Sequence, residues 1–258
     1  MNDTIKTVYD PINDLWGNPQ TYKNIDFHPL KVKDIKYKTL FYKLFAQPKN
    51  YIREKKILKL SYLKFLFYVL DRDSDLEGEL KDFLSHITKK EVKIETRLIK
   101  LTDEIVLENI ALRILIGDAE FLEDEFENIR EIVLEQNGLT IEYVEGYLPD
   151  LEEKLGRTIE NTEIDYIDEL FTFSILMKKS MEEIGEYTVF QLNNMLERVF
   201  VLKQHDIYQP LLASGQITMK NGGSIKPYLY HIGKRGRYDS ILISRDKFAS
   251  DTKEFFKS

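Results

Sequence analysis

The chain has 258 residues, enough for one large domain or two modest ones, and its 43% hydrophobic and 12% aromatic content calls for a packed globule rather than a disordered polypeptide. It has no cysteine, which excludes disulfides and thiolate metal sites and suits either a reducing compartment or a particle that leaves the cell. The opening residues MNDTIKTVYD carry no basic-then-apolar leader, and the most apolar run, LSYLKFLFYVL, is short and interrupted by Lys64, so neither secretion nor membrane insertion is expected.

The net charge of −7 hides an asymmetry. From Lys31 to Lys64 there are eleven Lys or Arg against Asp34 and Glu54, whereas from Asp103 to Glu169 there are twenty-one acids against Arg113, Arg130, Lys154 and Arg157. Three readings fit: wet helix faces that neutralise each other within one molecule, complementary patches that steer copies or partners together, or nucleic-acid binding by the basic stretch, which the acidic balance opposes.

In chain order, GNPQTYKNIDFHPLKV combines the turn formers Gly17, Asn18 and Pro19 with Ile25, Phe27 and Leu30, which predicts a short β-hairpin. Asp34 is placed to cap a helix with Ile35, Leu40, Phe41, Leu44 and Phe45 that stops before Pro48. Ile57, Leu60, Leu63, Phe67 and Leu70 recur at helical steps and mark a packing helix rather than a platform for bases. Val92, Ile94 and Leu98 suggest an extended segment that falters at Arg97. Thr102 is expected to begin a helix running through Leu115 to a stop at Gly117. A second acidic helix is expected from about Glu120, through Phe121, Phe126, Ile129, Val133 and Leu134, to the stop signal Asn137-Gly138. A third, IEYVEGYLPDLEEKLG, is split by Gly146 and Pro149.

Thr162 should begin a helix with Ile164, Ile167, Phe171, Ile175 and Met177 at apolar positions, continuing to about Met181 and closed by a turn at Gly185. In YTVFQLNNMLERVF, Thr188 and Gln191 form a capping box, and Leu192, Met195, Leu196 and Val199 make one apolar stripe. The two helices should pair as a helical hairpin with Asn193, Asn194 and Arg198 on the outer side, available to a partner. Asp206, Gln209 and Pro210 suggest a separate short helix ending at Ser214-Gly215. Beyond it, Lys220, Lys226, Lys234, Arg235 and Arg237 occur with Tyr228 and Tyr230 and no acid, a pattern suited to nucleic acid or to a basic protein-docking arm.

Catalytic signatures are missing. No Walker or dinucleotide glycine loop, HExxH or GxSxG occurs, and His205-Asp206 is the sole adjacent imidazole and acid. The carboxylates of the middle region fall between apolar positions of expected helices rather than in one pocket, so no metal, cofactor or enzyme activity is predicted.

NPQTYKNIDFHPLKVKDI, ILKLSYLKFLFYVL and YTVFQLNNMLERVFVLKQHDIYQPLLASG together resemble proteins from the tail-assembly regions of large bacteriophages of Gram-positive bacteria, including tail assembly chaperones. The resemblance covers about a third of the chain and includes a late helix opening with Thr-x-x-Gln-Leu, here Thr188, Gln191 and Leu192. It implies a structural or assembly role in tail or baseplate formation. The partners would be other phage tail or baseplate proteins or copies of itself, in the host cytoplasm during assembly or retained in the virion. The resulting expectation is a mainly α fold: a helical body with a small N-terminal β-hairpin and room for short C-terminal strands around DSILISRD. Its regions are 1–101 (hairpin and basic helices), 102–205 (acidic helices and helical hairpin) and 206–258 (basic arm). The alternative function is a nucleic-acid-associated module using that arm.

Overall fold

The computed structural model describes residues 10–49, 58–70, 75–98, 110–145 and 166–215. It begins with a helix absent from the sequence expectations, α1 (Pro11–Trp16). Asp10 caps it by accepting from the Ile12 N–H, Pro11 sits in the first turn and Gly17 ends it at φ 69°. This is the Pro-first, Gly-last signature of a short helix. Gly17 is therefore a helix stop and not the hairpin turn.

The hairpin itself follows as β1 (Gln20–Tyr22) antiparallel to β2 (Ile25–Phe27). Its turn is Lys23-Asn24, both at positive φ, the twist that a two-residue hairpin loop favours. Tyr22, Ile25 and Phe27 face inward. Helix α2 (Ile35–Leu44) buries Phe41 and Leu44, but Asp34 does not cap it through its side chain. That carboxylate accepts instead from the Lys31 N–H (3.0 Å) and lies 3.2 Å from His86 Nε2.

Helix α3 (Tyr62–Leu70) buries Leu63 and packs Phe67 against the core, as expected, and also buries Tyr62, Phe65 and Leu66. Helix α4 (Leu76–Thr88), in a stretch given no element by the sequence reading, is a main wall of the core. Asp75 caps it through the Gly78 N–H, and Leu76, Leu80, Phe83, Leu84 and Ile87 bury one continuous stripe.

The middle region departs most from expectation. β3 (Val92–Leu98), β4 (Ile110–Ile116) and β5 (Ala119–Leu122) form an antiparallel sheet in that order, with Val92 opposite Ile116 and Ile116 opposite Ala119. The helix expected through Leu115 is thus a strand where it falls on described residues, and the helix expected from about Glu120 starts only at Phe126, its first residues being strand β5. Leu112, Ile114, Ile116 and Phe121 bury one face, while Arg113, on the other, bonds Glu95 and Glu120 across both neighbouring strands. Gly117, at φ 56°, turns a hairpin instead of ending a helix. Strands therefore belong to the body and not only to its margins. The expected C-terminal strands around 239–246 lie outside the described residues, as do 101–109 and 146–165.

Helix α5 (Phe126–Gln136) packs in the larger core against α3, and Asn137-Gly138 stop it as expected, Gly138 at φ 83°. Asn137 and Gln136 are also tethers: Asn137 Oδ1 accepts from the Leu30 N–H (3.2 Å) and Gln136 Nε2 donates to the Phe27 carbonyl (2.7 Å). A one-turn helix, α6 (Ile141–Glu145), follows. Arg130, buried with 2% exposure, donates to the carbonyls of Phe45 and Gln47, pairs with Glu145 at 2.7 Å and lies 3.5 Å from the Tyr62 ring centre. The acidic run thus supplies partners within the molecule, as Lys64–Glu123 (3.0 Å) and Lys23–Glu125 also show. Much of the basic run is paired elsewhere, Lys36 with Asp82 and Lys43 with Glu79 on α4.

Candidate interaction surface

The last described elements are α7 (Tyr166–Met177), α8 (Met181–Gly185) and α9 (Val189–Ala213). They differ from the expected hairpin in where its first helix ends and where its second one stops. Helix α7 ends at Met177, where Lys178 turns the chain at φ 54°, and a separate α8 starts from a Ser180–Glu183 capping box. The Thr188–Gln191 capping box is present: Gln191 Oε1 accepts from the Thr188 N–H (2.9 Å) and Thr188 Oγ1 from the Gln191 N–H (3.1 Å). Gln191 also donates from Nε2 to the Leu15 carbonyl (2.9 Å), which ties α9 to the end of α1. Helix α9 then runs through Pro210 without a break, so no separate short helix exists, and Ser214-Gly215 end it.

These helices share a second, smaller core of Val32, Leu170, Phe173, Ile184, Leu192 and Leu196. One strap joins it to the larger core. His28 N–H donates to the Ile87 carbonyl, Val32 N–H to Tyr187 and Lys33 N–H to Gly185, while the Val189 N–H donates to Leu30. Leu30 packs in the larger core and Val32 in the smaller. Lys31 and Lys33 both bond Glu186 beside this strap and hold its carboxyl down at about 2. Burial lowers the ammonium of Lys38 on α2 to about 8, and nearby Glu169 on α7 partly offsets this.

The buried stripe of α9 is the expected one, since Leu192 and Leu196 are buried and Met195 is packed beside them. The stripe expected for α7 is largely wrong. Leu170 and Phe173 face the core, whereas Ile167, Phe171 and Ile175 are 55%, 54% and 77% exposed. The sequence carried the signal: on a 3.6-residue period, Leu170, Phe173 and Met177 form a second apolar row on α7. Which of two apolar rows faces inward depends on the strap and on α9, and neither is local to α7.

Beyond Val199, α9 has no buried residue. Its distal part, Phe200 to Ala213, continues for about 20 Å at 1.5 Å per residue, with Phe200, Leu202, Ile207 and Tyr208 exposed. Leu196, Phe200, Ile207 and Leu211 stand in line, so the face that packs on the body near Leu196 carries on past it. Asn193 and Asn194 are exposed, as expected, but point about 100° apart. Asn193 lies towards Gly138, and Asn194 Nδ2 donates to the Phe190 carbonyl (2.9 Å). Arg198 is half-buried on the Asn194 side. Lys226, Tyr228, Tyr230, Lys234, Arg235 and Arg237 lie outside the described residues. His205 and Asp206 are successive residues of α9 and diverge likewise.

Elsewhere, an open groove of about 460 Å³ between α2 and α4 is lined by Lys36, Asp75, Glu79 and Asp82. Asp82 and Glu79 are already paired with Lys36 and Lys43. Among the described residues no cluster of His, Asp and Glu is placed to hold a metal ion, and no helix is long and apolar enough to cross a membrane.

A family model described as the second domain of YomV, a Bacillus phage-encoded protein, matches residues 165–233. The match takes in α7, α8 and α9, about a quarter of the chain, and points to a phage-related protein. No curated protein and no solved structure matches the chain.

Proposed function

We propose that this chain is a non-catalytic phage assembly protein that works by protein–protein recognition, with the distal part of α9 as its recognition helix. The observation that carries this reading is the row of exposed Phe200 and Ile207 with half-buried Leu211, which prolongs the core-facing side of α9 where the body no longer covers it. A segment of 14 residues that contains Val201, Ile207 and Pro210 is marginal as a helix alone in water. An amphipathic helix of this kind is stabilised by laying its apolar side into a partner's groove. The phage-related match lies over the same segment, and the resemblance to tail-assembly proteins directs the role to tail or baseplate formation, with other tail or baseplate proteins as partners.

A photo-crosslinking residue placed at Ile207, in cells producing the phage, tests this. Crosslinks to a phage structural protein are expected, with none from a control placed at the exposed Lys93 on β3. Crosslinks only to nucleic acid, or equal yields from both positions, would overturn the reading.

A further inference from the structure

The exposed row on α7 is distinct from the α9 segment. Ile167, Phe171 and Ile175 follow at four-residue steps, so they line one side of the helix, while Leu170 and Phe173 hold the helix to the smaller core. The row has ends of opposite sign. Asp168 is exposed in the first turn, and Lys178 is exposed at the residue that stops the helix. Neither makes an ion pair among the described residues. Their sequence neighbours are engaged: Glu169 acts on Lys38, and Lys179 pairs with Glu183 at 2.7 Å.

A helix face that runs acid, apolar, base is complementary to itself only when the second copy runs antiparallel, the arrangement that a two-fold axis produces. Ten residues, about 15 Å of helix, separate Asp168 from Lys178. A two-fold axis midway between them sets Asp168 of one copy against Lys178 of the other and Phe171 against Ile175, each twice. Near the axis stands Ser174, small and already satisfied because its hydroxyl donates to the Lys179 carbonyl (2.6 Å).

We propose that α7 is a self-association surface on which a second copy of this chain docks antiparallel, with Phe171 and Ile175 as the apolar contacts and Asp168 and Lys178 as the paired ends. This goes beyond the recognition role of α9, and neither requires the other. The three exposed side chains offer on the order of 400 Å² per copy, from ~150–250 Å² for a large side chain. That is a small interface, so the dimer is weak and forms only towards the upper end of the micromolar range.

The test is sedimentation velocity of the full-length protein from low micromolar to near-millimolar concentration. Wild type should shift from monomer to dimer across that range, and Phe171→Asp should remain monomeric with an unchanged circular dichroism spectrum. Should that variant fail to fold, Ile175→Asp serves in its place, since Ile175 is 77% exposed. Asp168→Lys and Lys178→Asp should each weaken the dimer about tenfold, because each puts like charges together twice. Aspartate tolerates the left-handed backbone at 178. The two together should return the dimer to near wild-type strength. A monomer at every concentration, a dimer indifferent to Phe171→Asp, or a double swap no stronger than the singles would each overturn the proposal. So would a monomer that uses Phe171 to bind a different protein.

Discussion

Replacing Arg130 by methionine removes the largest fully buried side chain among the described residues while keeping most of its volume, so the loss isolates what its charge and donors do. The guanidinium donates to the carbonyls of Phe45 (3.1 Å) and Gln47 (3.3 Å) and to Glu145 Oε1 (2.7 Å). It also lies over the Tyr62 ring, whose hydroxyl is pushed above its usual range by burial and partly drawn back by this neighbouring charge. Removing one partner of a buried pair costs about 3–5 kcal/mol, chiefly because the other charge is left behind. Against a total stability of roughly 5–15 kcal/mol, Arg130→Met should leave a folded but weakened protein. Urea unfolding followed by tyrosine fluorescence measures it. Combining it with Glu145→Leu should recover part of the loss, since the orphaned carboxylate is gone. Recovery should be incomplete because Glu145 Oε2 also accepts from the Lys49 N–H (3.0 Å). A single-variant cost under about 1 kcal/mol, or a double variant as weak as the sum of the singles, would refute the reasoning.

Leu192→Ala should cost about 2–5 kcal/mol in urea melts, the range for truncating a buried leucine, while Asn193→Ala should be nearly neutral because its side chain is in solvent. Glu186 has its pKa lowered from 4.5 to about 2, so its stabilising pairs with Lys31 and Lys33 are fully present above about pH 4.5 and lost as pH falls towards 2. Melts of wild type and Glu186→Gln should therefore differ at pH 6 and converge near pH 2.

The parts of the fold that the sequence announced are those decided by local chemistry. The Thr188–Gln191 capping box, the Leu192–Leu196 stripe and the Asn137-Gly138 stop each depend on residues within a turn or two, and each is found. Of the sheet, β3 is the extended segment that Val92, Ile94 and Leu98 suggest, whereas β4 and most of β5 fall in stretches that read as acidic helices. Yet Ile110, Leu112, Ile114 and Ile116 alternate with period two, and Gly117-Asp118 is a two-residue hairpin signal. Asp34 was a sound cap by residue type, but His86, 52 positions away, and the Lys31 N–H hold its carboxylate. The same limit applies to the interaction surface. Asn193 and Asn194 were correctly placed outside the α9 stripe, but the exposure of Phe171 and Ile175 follows from tertiary packing that α7 alone does not encode. Arg130 was counted as one charge among many, and its role depends on the backbone at Phe45 and Gln47, far away in sequence.

The central claim, that recognition through distal α9 serves phage assembly, is tested most directly by complementation. A phage lacking this gene is supplied with wild type or with Phe200→Ser/Ile207→Asp, and the titre of infectious particles is measured. Both changes are on exposed positions, so the variant should fold with an unchanged melt. Wild type should restore the titre and the variant should not. A folded variant that restores the titre fully would contradict the account.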